Sequence, residues 1–433
     1  IIMINEPIHP GGLLAMIVAV GAVGGALAWE KERYGWFAVI CGICTSTMLL
    51  TKINVGAFFL ISAASWFAIH WTKGTALRSV LWITAGGSIL LPLWLMKKLW
   101  PEPWVAIFAL AYTCAMLTYL LLIRQQHRPS IKRAPLLFFA GTTVLSATVI
   151  LIAVWSRGTN FTELWHGIVV APLGQPSAYA HAVKWPPSIP FLILAISGVA
   201  LLDNFRRFTW LPPLIAIARL VVAGYLLVLS YRCINYDLTY YSFKYGLPLA
   251  WLMTVPIQNR ETTSLSSARL WLGWVFICQT LHAYPVAGSQ MGWGAFLWIP
   301  LAITGIHEAI RYLRERAPRY RHAINTISTA VAFVTISSIA WSLGYTGYYR
   351  YHSDEPLGLN GGESLRLPDD ITSIYRILDQ NIRVHGDTLF SYPGHFSLNI
   401  WTKHPTPTTH NVTHWFSLLT DEQQGDIIDK LER

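Results

Sequence analysis

Charge is what this sequence has least of. Only 12% of its 433 residues are Asp, Glu, Lys or Arg, about half the share found in ordinary soluble domains. A soluble chain of this length would divide into about three domains, each needing a charged surface, and this composition cannot cover them. Cysteine is scarce too. There are five, at 41, 44, 114, 233 and 278, too few for a disulfide scaffold. Cys41 and Cys44 have CxxC spacing, but no second pair and no histidine stands near them. They fall inside an apolar segment, so a buried helix face is expected rather than zinc or redox chemistry. Internal repeats and a signal peptide with a basic leading region are also missing. What the sequence has is 53% hydrophobic residues and a formal charge of +10. Disorder and collagen are excluded by the same numbers, and no nucleic-acid partner is expected. The expected class is an all-α polytopic membrane bundle whose partner is the lipid bilayer.

A spanning helix needs about 20 apolar residues. Twelve stretches are candidates, of which 189–202 and 243–257 are short: 11–29, 34–50, 53–71, 79–96, 104–123, 134–155, 189–202, 210–230, 243–257, 268–284, 292–310 and 322–343. Residues 34–71 are almost continuously apolar. As one helix they would run about 57 Å, twice the hydrocarbon thickness. They must form a hairpin, and Thr51-Lys52-Ile53-Asn54 is the one polar point at which to turn. Alternate loops then carry sixteen Lys and Arg residues, against six in the opposite set. The positive-inside rule places the first set, which includes 30–33, 124–133 and 311–321, in the cytoplasm. One phase serves all twelve stretches. Residues 1–344 are therefore expected to form the bundle, with 156–188 as its longest outer loop and 345–433 outside. The glycine pair Gly21 and Gly25 is expected to serve close helix packing.

The tail 345–433 reads as a small α/β domain. Pro368-Asp369-Asp370 opens a helix with acids in its first turn, and Ile371, Ile374 and Leu378 give it an apolar stripe. Thr388 to Tyr392 reads as a strand. Thr420 and Gln423 form a capping box before a last amphipathic helix. The chain opens on Ile1 inside an apolar stretch and stops inside a helical pattern, so it is expected to be part of a longer protein, with this α/β domain truncated.

Few ionisable groups lie deep in the spans. Arg219 is halfway along 210–230, while His70, His307 and Glu308 lie near cytoplasmic ends. An intramembrane Arg marks either a functional site or a tie between helices. The remaining polar groups gather at the outer rim. Glu6 and His9 precede the first span, Lys52 and Asn54 form the hairpin tip, and Arg232 and Lys244 flank another span. Gln290 belongs to a late outer turn and His166 to the long loop. Cations at the lipid boundary suit a lipid-linked phosphate. A carboxylate and an imidazole suit deprotonation of a hydroxyl acceptor. Singly, such residues are ordinary interfacial anchors. Glu6, His9, Lys52 and Asn54 together favour a site.

Four stretches carry a resemblance: NEPIHPGGLLA (5–15), LLTKINVGAFF (49–59), AYPVAGSQMGWG (283–294) and FSYPGHFSLNIWTKHPTPTTHNVTHWFSLLTDEQQ (390–424). In order and membrane side they resemble bacterial glycosyltransferases of the GT-C superfamily. These are the polyprenyl-phosphate-sugar-dependent enzymes related to protein mannosyltransferases and aminoarabinose transferases. The resemblance implies an inner-membrane bundle with a periplasmic C-terminal domain. It implies sugar transfer from a polyprenyl-phosphate carrier to a glycan, lipid or protein acceptor on the outer face. Lys52, Asn54, Arg232, Lys244, Gln290 and His166 would bind substrate. Glu6 and His9 would have secondary catalytic roles, because the superfamily's first outer loop, which carries its main carboxylate, would lie before residue 1. No resident cofactor follows, and a divalent cation is left open. Two other classes fit a many-helix membrane chain: an O-antigen ligase or polymerase, working through Arg157, His166 and His181, and a lipid-linked glycan transporter or flippase.

Overall fold

The computed structural model describes residues 10–125, 129, 131–170, 185, 189–200, 209–232, 236–257, 263–281, 296–391, 395–408 and 419–432. Helices dominate. Over its described residues, each of the twelve apolar stretches is largely helical. Among the described residues, eight helices are long and apolar enough to cross a membrane: Leu13–Glu30, Tyr34–Thr51, Ile53–Trp71, Gly74–Leu95, Pro103–Gln125, Arg133–Trp155, Leu211–Val228 and Pro318–Ser353. The other four stretches correspond to Ile189–Ala200, Tyr236–Thr254, Thr263–Thr280 and Trp298–Arg316.

Two compact units divide the chain, 1–172 with 177–326 and 173–176 with 327–433. The first is built around Thr263–Thr280, which packs against Gly25–Glu30, Ile53–Trp71, Pro103–Gln125, Tyr236–Thr254 and Trp298–Arg316. Its residues from Ser266 to Leu281 are buried, although it carries Arg269, Gln279 and several hydroxyls. A helix screened from lipid by its neighbours can hold polar groups that a peripheral one cannot. Arg133–Trp155 shows the contrast, with Leu137, Val144, Leu145, Val149 and Ile152 exposed along one side. The glycine pair works as expected. A Cβ on Gly21 would lie 2.4 Å from the Phe59 ring, and one on Gly25 would lie 2.8 Å from Trp271 Nε1. Cys41 and Cys44 are buried free thiols.

The hairpin breaks at Lys52 alone, which is extended (φ −152°, ψ 100°) between Tyr34–Thr51 and Ile53–Trp71. So short a turn needs the arms to approach closely. Gly56 permits this, since a Cβ there would sit 2.3 Å from the Leu49 nitrogen.

In the second unit a two-residue antiparallel pair, Glu355–Pro356 with Arg366–Leu367, accompanies Asp369–His385, Phe396–Thr402 and Asp421–Leu431. Leu357, Leu359, Leu398 and Trp401 form its core. The capping box is present, with Gln423 N donating to Thr420 Oγ1 at 3.3 Å and Thr420 N to Gln423 Oε1 at 3.0 Å. One expectation is corrected. The segment expected to be a strand from Thr388 is irregular over its described residues 388–391. Leu389 N donates to Pro405 O at 3.0 Å and Asn399 Nδ2 donates to Leu389 O at 2.9 Å, so a loop and a side chain take the place of a ladder. The stripe Ile371, Ile374 and Leu378 faces outward, at 37%, 52% and 39% exposure. The inward face carries Thr372 and Asp379, both buried, and Tyr375 and Ile382, which pack on the core. Arginines hold it there: Arg376 Nε donates to Leu357 O at 3.1 Å, and Arg383 donates to Asp379 at 2.8 Å and to the Trp401 carbonyl.

Candidate functional site

Polar residues of the first unit collect at two levels. At one, the Tyr236–Thr254 helix ends beside the start of Thr263–Thr280. Arg219, from Leu211–Arg232, is 0% exposed and meets Glu308, from Trp298–Arg316, in a salt bridge. Arg269, also buried, engages the other oxygen of the same carboxylate. Arg219 Nε donates to Leu252 O at 2.6 Å and its Nη2 to Val255 O. Two guanidiniums against one carboxylate leave one positive charge in surplus. The carbonyls at a helix C-terminus carry a partial negative charge and lack intrahelical donors, so this helix end answers the surplus. The mid-span arginine is thus a tie joining four helices. Glu308 belongs to that tie. Arg269 lies at the edge of an expected span and does not stand out in the sequence. His70 is structural as well. It is buried with its ring 4.3 Å from Trp66 and 4.8 Å from Trp29, and Nδ1 is 2.9 Å from Trp66 O.

The second level is about 15 Å further along Thr263–Thr280, measured from Arg269 to Gln279. Gln279 is buried, and its Nε2 donates to Val55 O at 3.1 Å. That bond attaches the end of this helix to the first turn of Ile53–Trp71, just past Lys52. Asn54 Oδ1 accepts from Val55 N at 3.0 Å. Lys52 is half-buried, and loss of water around the ammonium pushes its pKa down to about 8. The short turn His166–Val170 packs against Tyr34–Thr51, the helix that ends at Lys52. His166 itself is exposed. Lys244 lies in the half of Tyr236–Thr254 remote from the arginine tie and is 6% exposed.

Of the residues singled out in the sequence, Lys52 and Asn54 therefore share one tip. His166 belongs to a turn packed on Tyr34–Thr51, and Lys244 is a buried cation on Tyr236–Thr254, a helix of the same unit that packs on Thr263–Thr280 rather than on the hairpin. Arg232 closes the helix Leu211–Arg232, and its side chain lies outside the described residues, as do Glu6, His9 and Gln290 altogether. Gln279 was not singled out in the sequence, where an amide near a span end carries no distinguishing signal. Among the described residues no group of three or more His, Cys, Asp or Glu side chains is placed to hold a metal ion. The tip offers a cation, an amide and a fixed backbone between two helices long and apolar enough to cross a membrane. Such groups suit binding and orienting an anion.

Comparison of the chain with protein-family models, curated proteins and solved structures finds no match in any of the three.

Proposed function

We propose that the chain is the membrane part of a glycosyltransferase that uses a polyprenyl-phosphate sugar. In this reading it moves the sugar to an acceptor on the outer face of a bacterial inner membrane, as its resemblance to the GT-C superfamily implies. One observation carries the proposal. A half-buried ammonium, Lys52, is held at the tip of a one-residue hairpin turn and secured from the side by the bond from Gln279 to Val55. A cation fixed at a lipid boundary suits a phosphate whose tail must stay in the bilayer. Lys244 and the His166 turn would complete the binding surface, and Asn54 would help to orient it. Glu6 and His9 would have supporting catalytic roles. On the same reading the tail after residue 344 is periplasmic.

The transporter reading calls for charges along a path through the midplane. Arg219, Arg269 and Glu308 are instead engaged with one another and with helix carbonyls, which supports a static role for them. The test is transfer by the full-length protein in purified membranes, offered a sugar on a polyprenyl monophosphate or a glycan on a polyprenyl diphosphate. Turnover of the monophosphate donor is expected. Turnover of the diphosphate donor alone would assign the chain to the ligase class, and turnover of neither would end the enzyme reading.

A further inference from the structure

A cleft of about 510 Å³ lies at the opposite end of the first unit from Lys52. One wall is the turn between Gly25–Glu30 and Tyr34–Thr51, with Glu32, Arg33, Tyr34 and Trp36; the other is the entry to Arg133–Trp155, with Ile131 and Lys132. We propose that this cleft binds the headgroup of an anionic phospholipid from the cytoplasmic leaflet. The proposal does not depend on the sugar-transfer reading.

Both walls are preformed. The first helix closes in a paired 6→1 and 5→2 arrangement, Arg33 N to Ala28 O and Glu32 N to Trp29 O, both 2.9 Å. That places Glu32 in the left-handed region at φ 57°. This is a position glycine usually fills. On the other wall Ile131 is buried and its N–H donates to His70 O at 3.3 Å, while the Arg133 guanidinium lies 5.9 Å from the Trp71 ring centre. Binding therefore has little ordering cost to overcome.

The charges and the surroundings choose the occupant. Lys31, Arg33, Lys132 and Arg133 stand against Glu30 and Glu32, so the two segments are net positive by two. A lysine or arginine beside a span is commonplace. Here basic side chains about 100 positions apart in the sequence converge on one cavity. Arg33 and Lys132 suit a phosphate. Glu32 repels phosphate but accepts from headgroup hydroxyls, so a phosphoglycerol headgroup satisfies all three. Trp36, Leu137 and Phe138, on the two helices that form the walls, are 63%, 71% and 53% exposed. They offer the acyl chains an apolar surface continuous with the cleft. The basic loops mark this end as cytoplasmic, and basic pockets between helices on that side are suited to anionic lipid headgroups.

The test places the full-length protein in nanodiscs of phosphatidylcholine containing graded phosphatidylglycerol and counts retained lipids by native mass spectrometry. Three forms are compared. One is wild type, one is Arg33→Gln with Lys132→Gln, and one is Arg316→Gln with Arg319→Gln, which removes equal charge from another loop on the same side. Wild type and the loop control should retain phosphatidylglycerol over phosphatidylcholine. The cleft variant should lose that preference by about tenfold or more, as for loss of one charge-assisted contact. Arg33→Lys with Lys132→Arg should keep it, which guards against misfolding of the Gln pair. Equal losses in the cleft and loop variants would mean diffuse attraction and overturn the proposal. So would equal retention of phosphatidylcholine by the wild type, or release of the lipid by millimolar inorganic phosphate, which would make the cleft a site for free phosphate.

Discussion

Lys52 gives the sharpest test of the outer-face reading. Lys52→Gln removes one charge-assisted contact to the donor phosphate. Such a contact is worth about 1.5–3 kcal/mol, so donor use at subsaturating concentration should fall roughly ten- to a hundredfold. Lys73→Gln, at the other end of Ile53–Trp71, just before Gly74–Leu95, should change nothing. Burial adds a second signature. The Lys52 pKa is pushed down to about 8, so the ammonium is mostly charged at pH 7 and mostly neutral at pH 9. A phosphodiester-linked sugar keeps its charge over that range. The KM for the donor should therefore rise about tenfold between pH 7 and 9. A guanidinium does not titrate there, so Lys52→Arg should flatten that rise. Stability runs the other way. The folded pKa lies below the ordinary value of 10.5, so the unfolded chain binds more protons between about pH 8 and 10.5, and stability rises with pH across that window. Below it the half-buried charge opposes folding. Lys52→Gln should thus raise, or leave unchanged, the thermal midpoint at pH 7 while donor use falls. An unchanged donor KM in Lys52→Gln, or a pH dependence that survives in Lys52→Arg, would remove Lys52 from the site.

Glu308→Gln should destabilise the detergent-purified protein by about 3–5 kcal/mol, because it strands two buried guanidiniums; a loss under 1 kcal/mol in reversible unfolding would contradict the tie. Glu32→Gly should stabilise by about 1 kcal/mol, since glycine meets no steric penalty at φ 57°, and a lowered thermal midpoint would show that the Glu32 side chain contributes more than the strain costs. Thr420→Ala should cost about 1 kcal/mol through loss of the capping box, measured as earlier fraying of Asp421–Leu431 by hydrogen exchange. Reporter fusions should read Arg316 as cytoplasmic and Ser364 as exported, and a cytoplasmic signal at Ser364 would reverse the proposed orientation.

How much was legible in the sequence depended on the range of the physics involved. The hairpin at Lys52 follows from a length argument: 34–71 is too long for one crossing, and it holds a single polar point. The capping box at Thr420 is a four-residue signal and equally local. The Arg219–Glu308–Arg269 tie is not local. Arg219 and Glu308 were visible as costly charges, but their pairing joins helices 89 positions apart in the chain, and Arg269 sat at the edge of an expected span. The tail misled in a different way. The period of Asp369–His385 was legible as an apolar stripe, but not which face packs on the core: Arg376 and Arg383 reach carbonyls outside the helix, and Thr372 and Asp379 lie on the buried side. The expected strand from Thr388 had the right composition. Local propensity does not supply a ladder partner, and Pro405 and Asn399 took the hydrogen bonds instead.

The buried tie and the Lys52 tip belong to one mechanical unit through Thr263–Thr280. That helix carries Arg269 at one level and Gln279 at the other, and it is packed on all sides between them. A straight helix packed to interior density transmits position, not only contact. Fixing Arg269 against Glu308 sets the height and rotation of the helix, and so sets where Gln279 meets the Val55 carbonyl beside Lys52. Helices that carry such groups thus have a reason to lie toward the centre of the unit. Their polar groups cannot face lipid, and placed inside they do what an all-apolar interface does poorly: they specify one register among several of similar packing energy. A site at the membrane surface that must hold a phosphate at a fixed depth needs such a register more than it needs added stability.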